Sequence, residues 1–275
     1  MENLRIELDN QIFDVNIPGF WDEVPGHLYP SLARIYLRAN EFMRIEDKRA
    51  RTLSIFLDGA LGAVLDLNEE QQYQLCRLVD WVFGEMTLSK NLIPSFEFGG
   101  VDYLGPAGDF SNIRFGEFVM AETYFSQYVD SEMSLSIVLD KLIAVLYRPS
   151  GLGSEYIDRS VNYRGDKRQK FNSNIVDHQA ILFAELDLAI KDGVYLWYLT
   201  ARERFFSYFK HIFNKRRSSQ NKDNTTAVNW GWYGVFDDLL GEKGRTAESL
   251  EDEFVSVTLM SLERAQEKAK AIKRK

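Results

Sequence analysis

Apolar and polar residues alternate at the start of the chain, which is the two-residue period of a strand. Leu4, Ile6 and Leu8 fall on one face of this run. A second alternating run follows the turn pair Asp9-Asn10. The pattern predicts a small β-hairpin within residues 1–18. Two strands alone are marginal in water, so we expect the hairpin to pack on something larger.

Most of the remaining chain repeats its apolar residues at the three-to-four spacing of an amphipathic helix. Asn68 followed by Gln71 indicates a capping box at one helix start, and Thr246 indicates an N-cap at another. The predicted fold class is mostly α: a helical bundle with a small N-terminal β-hairpin and a C-terminal helical extension. We expect helices at about residues 30–42, 53–65, 69–83, 112–129, 134–147, 167–190, 194–213, 230–240 and 247–270.

Composition changes divide the chain further. A helical domain is expected over residues 19–215, interrupted by a long loop rich in Gly and Pro at 89–112 that has room for a short strand pair. Residues 216–226 read RRSSQNKDNTT and contain no apolar side chain. We therefore predict a flexible linker at 216–227, cut first in limited proteolysis, and a C-terminal helical module at 228–275.

Charge and cysteine content bear on the class of protein. Hydrophobic residues make up 45% and charged residues 27%, which suits a folded globular chain. The formal net charge of -8 argues against a surface that binds nucleic acid throughout. Cys76 is the single cysteine, so no disulfide can form within the chain. With neither a signal peptide nor an apolar run of spanning length, we expect a soluble, cytoplasmic protein without membrane contact.

Candidate chemistry is sparse. The three histidines lie far apart and in none of the metal-binding spacings, and no glycine-rich phosphate loop is complete. We therefore assign no catalytic, metal or cofactor residues. Arg204 and His211 on one predicted helix resemble the ribonuclease motif of HEPN-type helical domains. Their spacing of seven and Phe205 after the arginine depart from that motif, so a helical RNA-acting or regulatory protein remains an alternative.

Aromatic residues concentrate in two predicted helices and cover more than one face of each. Such a helix is either buried centrally or shared with a partner, and the pattern leaves both open. A short C-terminal module cannot bury several aromatics alone, so it must dock on its own bundle or on another protein. The candidate partner-binding residues are Trp230, Trp232, Tyr233, Phe236, Tyr195, Trp197 and Tyr198.

Several patches threaded along the chain carry a family resemblance. They are the opening hairpin leading to 20–24 (FWDEV), then 103–109 (YLGPAGD), 115–118 (FGEF), 142–149 (LIAVLYRP), and 230–236 (WGWYGVF) before a charged helix. Together they resemble a group of virion-assembly proteins of tailed phages and prophages, especially in Bacteroidetes hosts, that look like tail assembly chaperones.

The resemblance implies a non-enzymatic role. Such chaperones bind the long helical tape measure protein and keep it soluble while the tail tube polymerises around it. The extension past the linker is similar to the part that contacts tube subunits in that family. A permanent structural component of the virion, in the tail, connector or baseplate, is the main alternative.

Overall fold

The computed structural model describes residues 2–8, 11–39, 43–57, 61–65, 67–133, 135–151, 166–213, 231–241 and 245–273. Within these residues the chain is mostly helical with two small sheets, which confirms the predicted fold class. The chain forms two compact units. The first comprises residues 1–93 and 187–200, and the second comprises residues 94–186 and 201–275. The predicted linker at 216–227 lies outside the described residues.

The first unit opens with the predicted hairpin. Its strands pair antiparallel, with Leu4 opposite Val15, and the predicted turn at 9–10 lies outside the described residues. Asn68 caps the fourth helix as predicted, because its Oδ1 accepts from the Gln71 N–H at 2.9 Å while Gln71 Oε1 accepts from the Asn68 N–H at 3.2 Å. The elements are β1 (Glu2–Leu8), β2 (Gln11–Ile17), α1 (Tyr29–Arg38), α2 (Ile45–Phe56), α3 (Leu61–Leu65) and α4 (Glu69–Arg77).

The helix pair predicted at 167–190 and 194–213 is wrong in its boundaries. The two helices are α7 (Val176–Phe183) and α8 (Leu188–Ser207), so Gly193 lies inside a continuous helix. Within the first unit, a Cβ added at Gly193 would lie 2.7 Å from Ile93 Cδ1. The Gly193 carbonyl accepts a hydrogen bond from the Tyr29 hydroxyl at 2.9 Å. The glycine therefore serves close packing, not a turn.

The second unit has a three-stranded antiparallel sheet in the order β3 (Ser95–Phe98), β4 (Val101–Leu104), β5 (Arg148–Pro149). The first two strands form the short pair for which the 89–112 loop has room, and Gly99 and Gly100 turn between them at φ 61° and 76°. The unit's helices are α5 (Phe115–Asp130), α6 (Ser136–Leu146), α7, the end of α8, α9 (Gly231–Leu240), α10 (Ala247–Glu251) and α11 (Val255–Lys273).

The single long helix predicted over 247–270 is also wrong. Thr246 caps α10 as expected, through a bond to the Ser249 N–H at 3.2 Å, but the helix stops before residue 252. There the Glu253 carbonyl accepts from the Phe115 N–H at 2.8 Å, and the Val255 N–H donates to the Ile113 carbonyl at 3.0 Å. These long-range backbone bonds replace helical ones, so α11 begins anew.

Candidate functional site

Three of the candidate aromatics belong to the core of the first unit. Tyr195, Trp197 and Tyr198 are all buried on α8, the helix whose apolar residues cover more than one face. The structure thus shows the core placement that the sequence pattern had left open. In this fold these three side chains offer a partner no surface.

The aromatic segment of α9 packs on its own unit. Trp232 is 6% exposed, and its ring meets that of Phe118 edge-on with centroids 4.8 Å apart. Phe236 stacks on Phe115 at 5.9 Å. Tyr233 is 46% exposed. Among the candidate aromatics whose side chains the structure describes, it is the exposed one. Trp230 lies outside the described residues.

A buried carboxylate on α5 fixes this arrangement. Glu122 is fully buried and accepts from the Trp232 Nε1 at 3.2 Å and from the Arg202 Nε at 2.7 and 2.9 Å. One carboxylate therefore ties α5, α8 and α9 together. The Trp232 side chain is committed to this contact and is not free for another protein.

The last helix, α11, is attached firmly along one face. Val255 and Leu259 are fully buried on that face. Farther along, Glu263 accepts from the backbone N–H groups of His211 at 2.7 Å and Ile212 at 3.0 Å, and its Oε1 lies 2.7 Å from His211 Nδ1. Burial alone would raise the pKa of Glu263, but these hydrogen bonds outweigh it and lower the pKa.

The opposite face of α11 is open and partly apolar. Val257 is 51% exposed and Met260 is 48% exposed. A concavity of about 470 Å³ runs beside this face, lined by α11 side chains from Ser256 to Lys268. The small residues Ser261 and Ala265 also line the concavity, which allows close approach by another backbone. This side of the helix therefore exposes apolar, small and polar side chains around an open depression.

Two cations continue the same face. Arg264 and Lys268 line the concavity and are exposed. Neither side chain forms an ion pair with another residue in the described part of the chain. From here on, "outer face" means the α11 residues Val257, Met260, Ser261, Arg264, Ala265 and Lys268.

A second group of charges is buried in the second unit, and the sequence reasoning missed it. Arg168 Nη1 lies 2.6 Å from Glu117 Oε1, and Arg148 Nη2 lies 3.2 Å from Glu117 Oε2. Asp166 pairs with both arginines, at 2.9 and 3.4 Å. Two positive and two negative charges thus neutralise each other. The sequence signal was faint: Glu117 and Arg148 each lie inside a patch that carries the family resemblance.

The two arginines respond differently to this environment. Burial lowers the pKa of Arg148, and the neighbouring Arg168 charge adds to the lowering. Burial also acts against the charge of Arg168, but Glu117 and Asp166 outweigh it and its pKa ends raised. Their guanidinium groups join α5, β5 and residues 166–168, so the cluster fixes the relative positions of these segments.

The two residues of the HEPN-like alternative have separate partners. Arg204 Nη2 donates to the Gly108 carbonyl at 2.8 Å, whereas His211 contacts Glu263. Among the described residues no group of three or more His, Cys, Asp or Glu side chains is placed to hold a metal ion. None of the helices in the described ranges is both long and apolar enough to cross a membrane.

Comparison with known proteins returned no matching family model, no matching curated protein and no matching solved structure.

Proposed function

We propose that this protein is a non-enzymatic assembly chaperone or scaffold that binds a helical protein partner in the cytoplasm of the host cell. The family resemblance suggests a tape measure protein as that partner, with tail tube subunits as a further contact. The observation that carries the proposal is the outer face of α11. Its apolar residues are exposed although the helix that bears them is held by buried contacts on its other side.

The physical reason lies in what a protein surface normally exposes. Single exposed apolar residues are common and need no explanation. Val257 and Met260 differ because they lie one helical turn apart beside a concavity and continue into a row of small and cationic residues. An amphipathic helix can lay its apolar side against exposed apolar side chains such as these, a recurrent mode of peptide recognition. A chaperone for a long helical protein needs such a surface.

A co-expression experiment tests this function. A tape measure protein from a tailed phage or prophage that encodes this chain is produced alone, with the wild type, or with the double variant Val257→Glu/Met260→Glu. We expect the wild type to hold the partner in the soluble fraction and the double variant to fail. The control is Ile181→Glu, which adds one glutamate charge at a 65% exposed apolar position of α7.

Two results would count against the proposal. One is a tape measure protein that is equally soluble with and without this chain. The other is failure of the Ile181→Glu control together with the double variant. Mass spectrometry of purified particles separates the two virion-related roles, because a chaperone is absent from the finished particle. A stoichiometric amount there would assign the chain to the permanent structure instead.

A further inference from the structure

The outer face of α11 contains an apolar half and a cationic half in a fixed order. Val257 and Met260 come first, and Arg264 and Lys268 follow on the same side of the helix. At 100° per residue, Arg264 and Lys268 lie within about 20° of the line through Val257. Ile272, 75% exposed, lies one turn farther on. The face therefore presents apolar, cationic and again apolar groups along roughly 22 Å of helix.

The two cations have positions that a facing helix could match. Residues four apart on a helix are about 6 Å apart along its axis and point the same way. Arg264 and Lys268 have this separation, and neither makes an ion pair with any other described residue. A partner helix with two carboxylates four residues apart would place one opposite each cation.

A second copy of the same helix does not fit this face. The central line of the outer face carries no carboxylate between Val257 and Ile272. Glu267 lies on the flank, about 80° from that line. If two copies of α11 packed through this face, Arg264 and Lys268 of one copy would lie against the same cations or against the apolar residues of the other. In both arrangements the positive charges would have no facing carboxylate. The occupant must therefore differ from α11 in charge.

We infer that the outer face binds an amphipathic helix whose apolar stripe is interrupted by two acidic residues four positions apart. This inference rests on the proposed function and specifies the chemistry of its partner. Burial of Val257 and Met260 supplies the non-specific attraction, and the Arg264 and Lys268 pair selects the partner and its register. A nucleic acid is disfavoured, because the chain carries a net charge of -8 and the face offers two cations next to apolar groups.

The test uses two synthetic helical peptides of identical length and leucine stripe. One carries a Glu pair four residues apart within the stripe, and the other carries a Lys pair at the same positions. Fluorescence anisotropy measures the Kd of each for the full-length protein. We expect the Glu peptide to bind about tenfold more tightly, as two exposed charge pairs allow, and the preference to shrink at high salt.

Charge reversal provides the decisive comparison. The variant Arg264→Glu/Lys268→Glu should prefer the Lys peptide. The control Arg51→Glu/Lys90→Glu changes net charge equally at exposed positions of the first unit, and it should keep the wild-type preference. Thermal unfolding of each variant confirms that it is folded.

Three outcomes would overturn the inference. The first is that both peptides bind with equal affinity and that the variant Val257→Glu/Met260→Glu abolishes this binding. That result would leave the proposed helix-binding function standing. The second is that neither peptide binds. The proposed chaperone function is then still tested separately by the co-expression experiment. The third is binding of single-stranded DNA with the same dependence on Arg264 and Lys268, which would assign the cations to a polyanion.

Discussion

The indole nitrogen of Trp232 donates a hydrogen bond to the fully buried carboxylate of Glu122, 110 residues earlier in the chain. The contact shows that the segment after the predicted linker docks on its own unit through this side chain. Removing residues 228–275 would expose the α5 surface that α9 covers and take the Trp232 donor away from Glu122. Surface substitutions therefore test partner binding more cleanly than truncation does.

The first prediction concerns this anchor. Trp232→Ala should lower the free energy of unfolding by about 3–5 kcal/mol, because a large buried side chain and a bond to a buried carboxylate are lost together. Tyr233→Ala, at the neighbouring exposed position, should change it by no more than about 0.5 kcal/mol. Urea unfolding measures both. Similar small effects for the two variants would show that α9 does not belong to the core.

The second prediction concerns the buried ionic cluster. Glu117→Gln leaves Arg148 and Arg168 buried with Asp166 as their remaining carboxylate, so we expect a loss of about 3–5 kcal/mol in stability. Glu97→Gln, at an exposed position of β3, serves as the control and should be nearly neutral. A stable Glu117→Gln protein would mean that the two arginines do not depend on Glu117 for compensation.

The third prediction is a pH dependence from Glu263. Its pKa in the folded protein lies below the usual 4.5, so ionised Glu263 stabilises the fold above that value. This contribution is lost as the pH falls through the folded-state pKa. Glu263→Gln should therefore melt at a lower temperature than wild type at pH 7, and the difference should shrink under acidic conditions.

Melting temperatures of both proteins between about pH 3 and pH 7 measure this effect. A difference that stays constant over the range would show that Glu263 contributes through its shape and neutral hydrogen bonds, not through its charge. His211, whose backbone N–H also donates to Glu263, keeps that donor in both proteins.

The fourth prediction compares two helical glycines of the first unit. Among the described residues no atom outside the local helix backbone lies within 4 Å of a Cβ added at Gly62, so Gly62→Ala should stabilise the protein by about 0.5–1 kcal/mol. At Gly193 the new Cβ would meet Ile93 Cδ1 at 2.7 Å and Tyr29 Cε1 at 3.2 Å. We expect the Gly193→Ala protein to be about 1–3 kcal/mol less stable than the Gly62→Ala protein. Equal stabilisation by both changes would refute the packing role of Gly193.

Local signals in the sequence determined the helical character of the chain and many element starts. The capping box at Asn68 and the N-cap at Thr246 form as predicted, because each involves groups within three residues. The N-terminal hairpin and the strand pair around Gly99-Gly100 form for the same reason, since the strands are near in sequence and alternating residues specify their register. Interactions of this range depend little on the rest of the fold.

The tertiary structure alone decided where helices continue, which aromatics are buried and which charges pair. Gly193 lies inside a helix and packs closely against Tyr29 and Ile93, which are far away in sequence. Helix α10 ends where the backbone that follows it pairs with residues near 114. The same holds for the partner surface: the pattern left the burial of Trp232 open, and packing buried Trp232 and left the outer face of α11 exposed. A side chain's exposure is set by what folds over it, and residues more than 100 positions apart make that choice here.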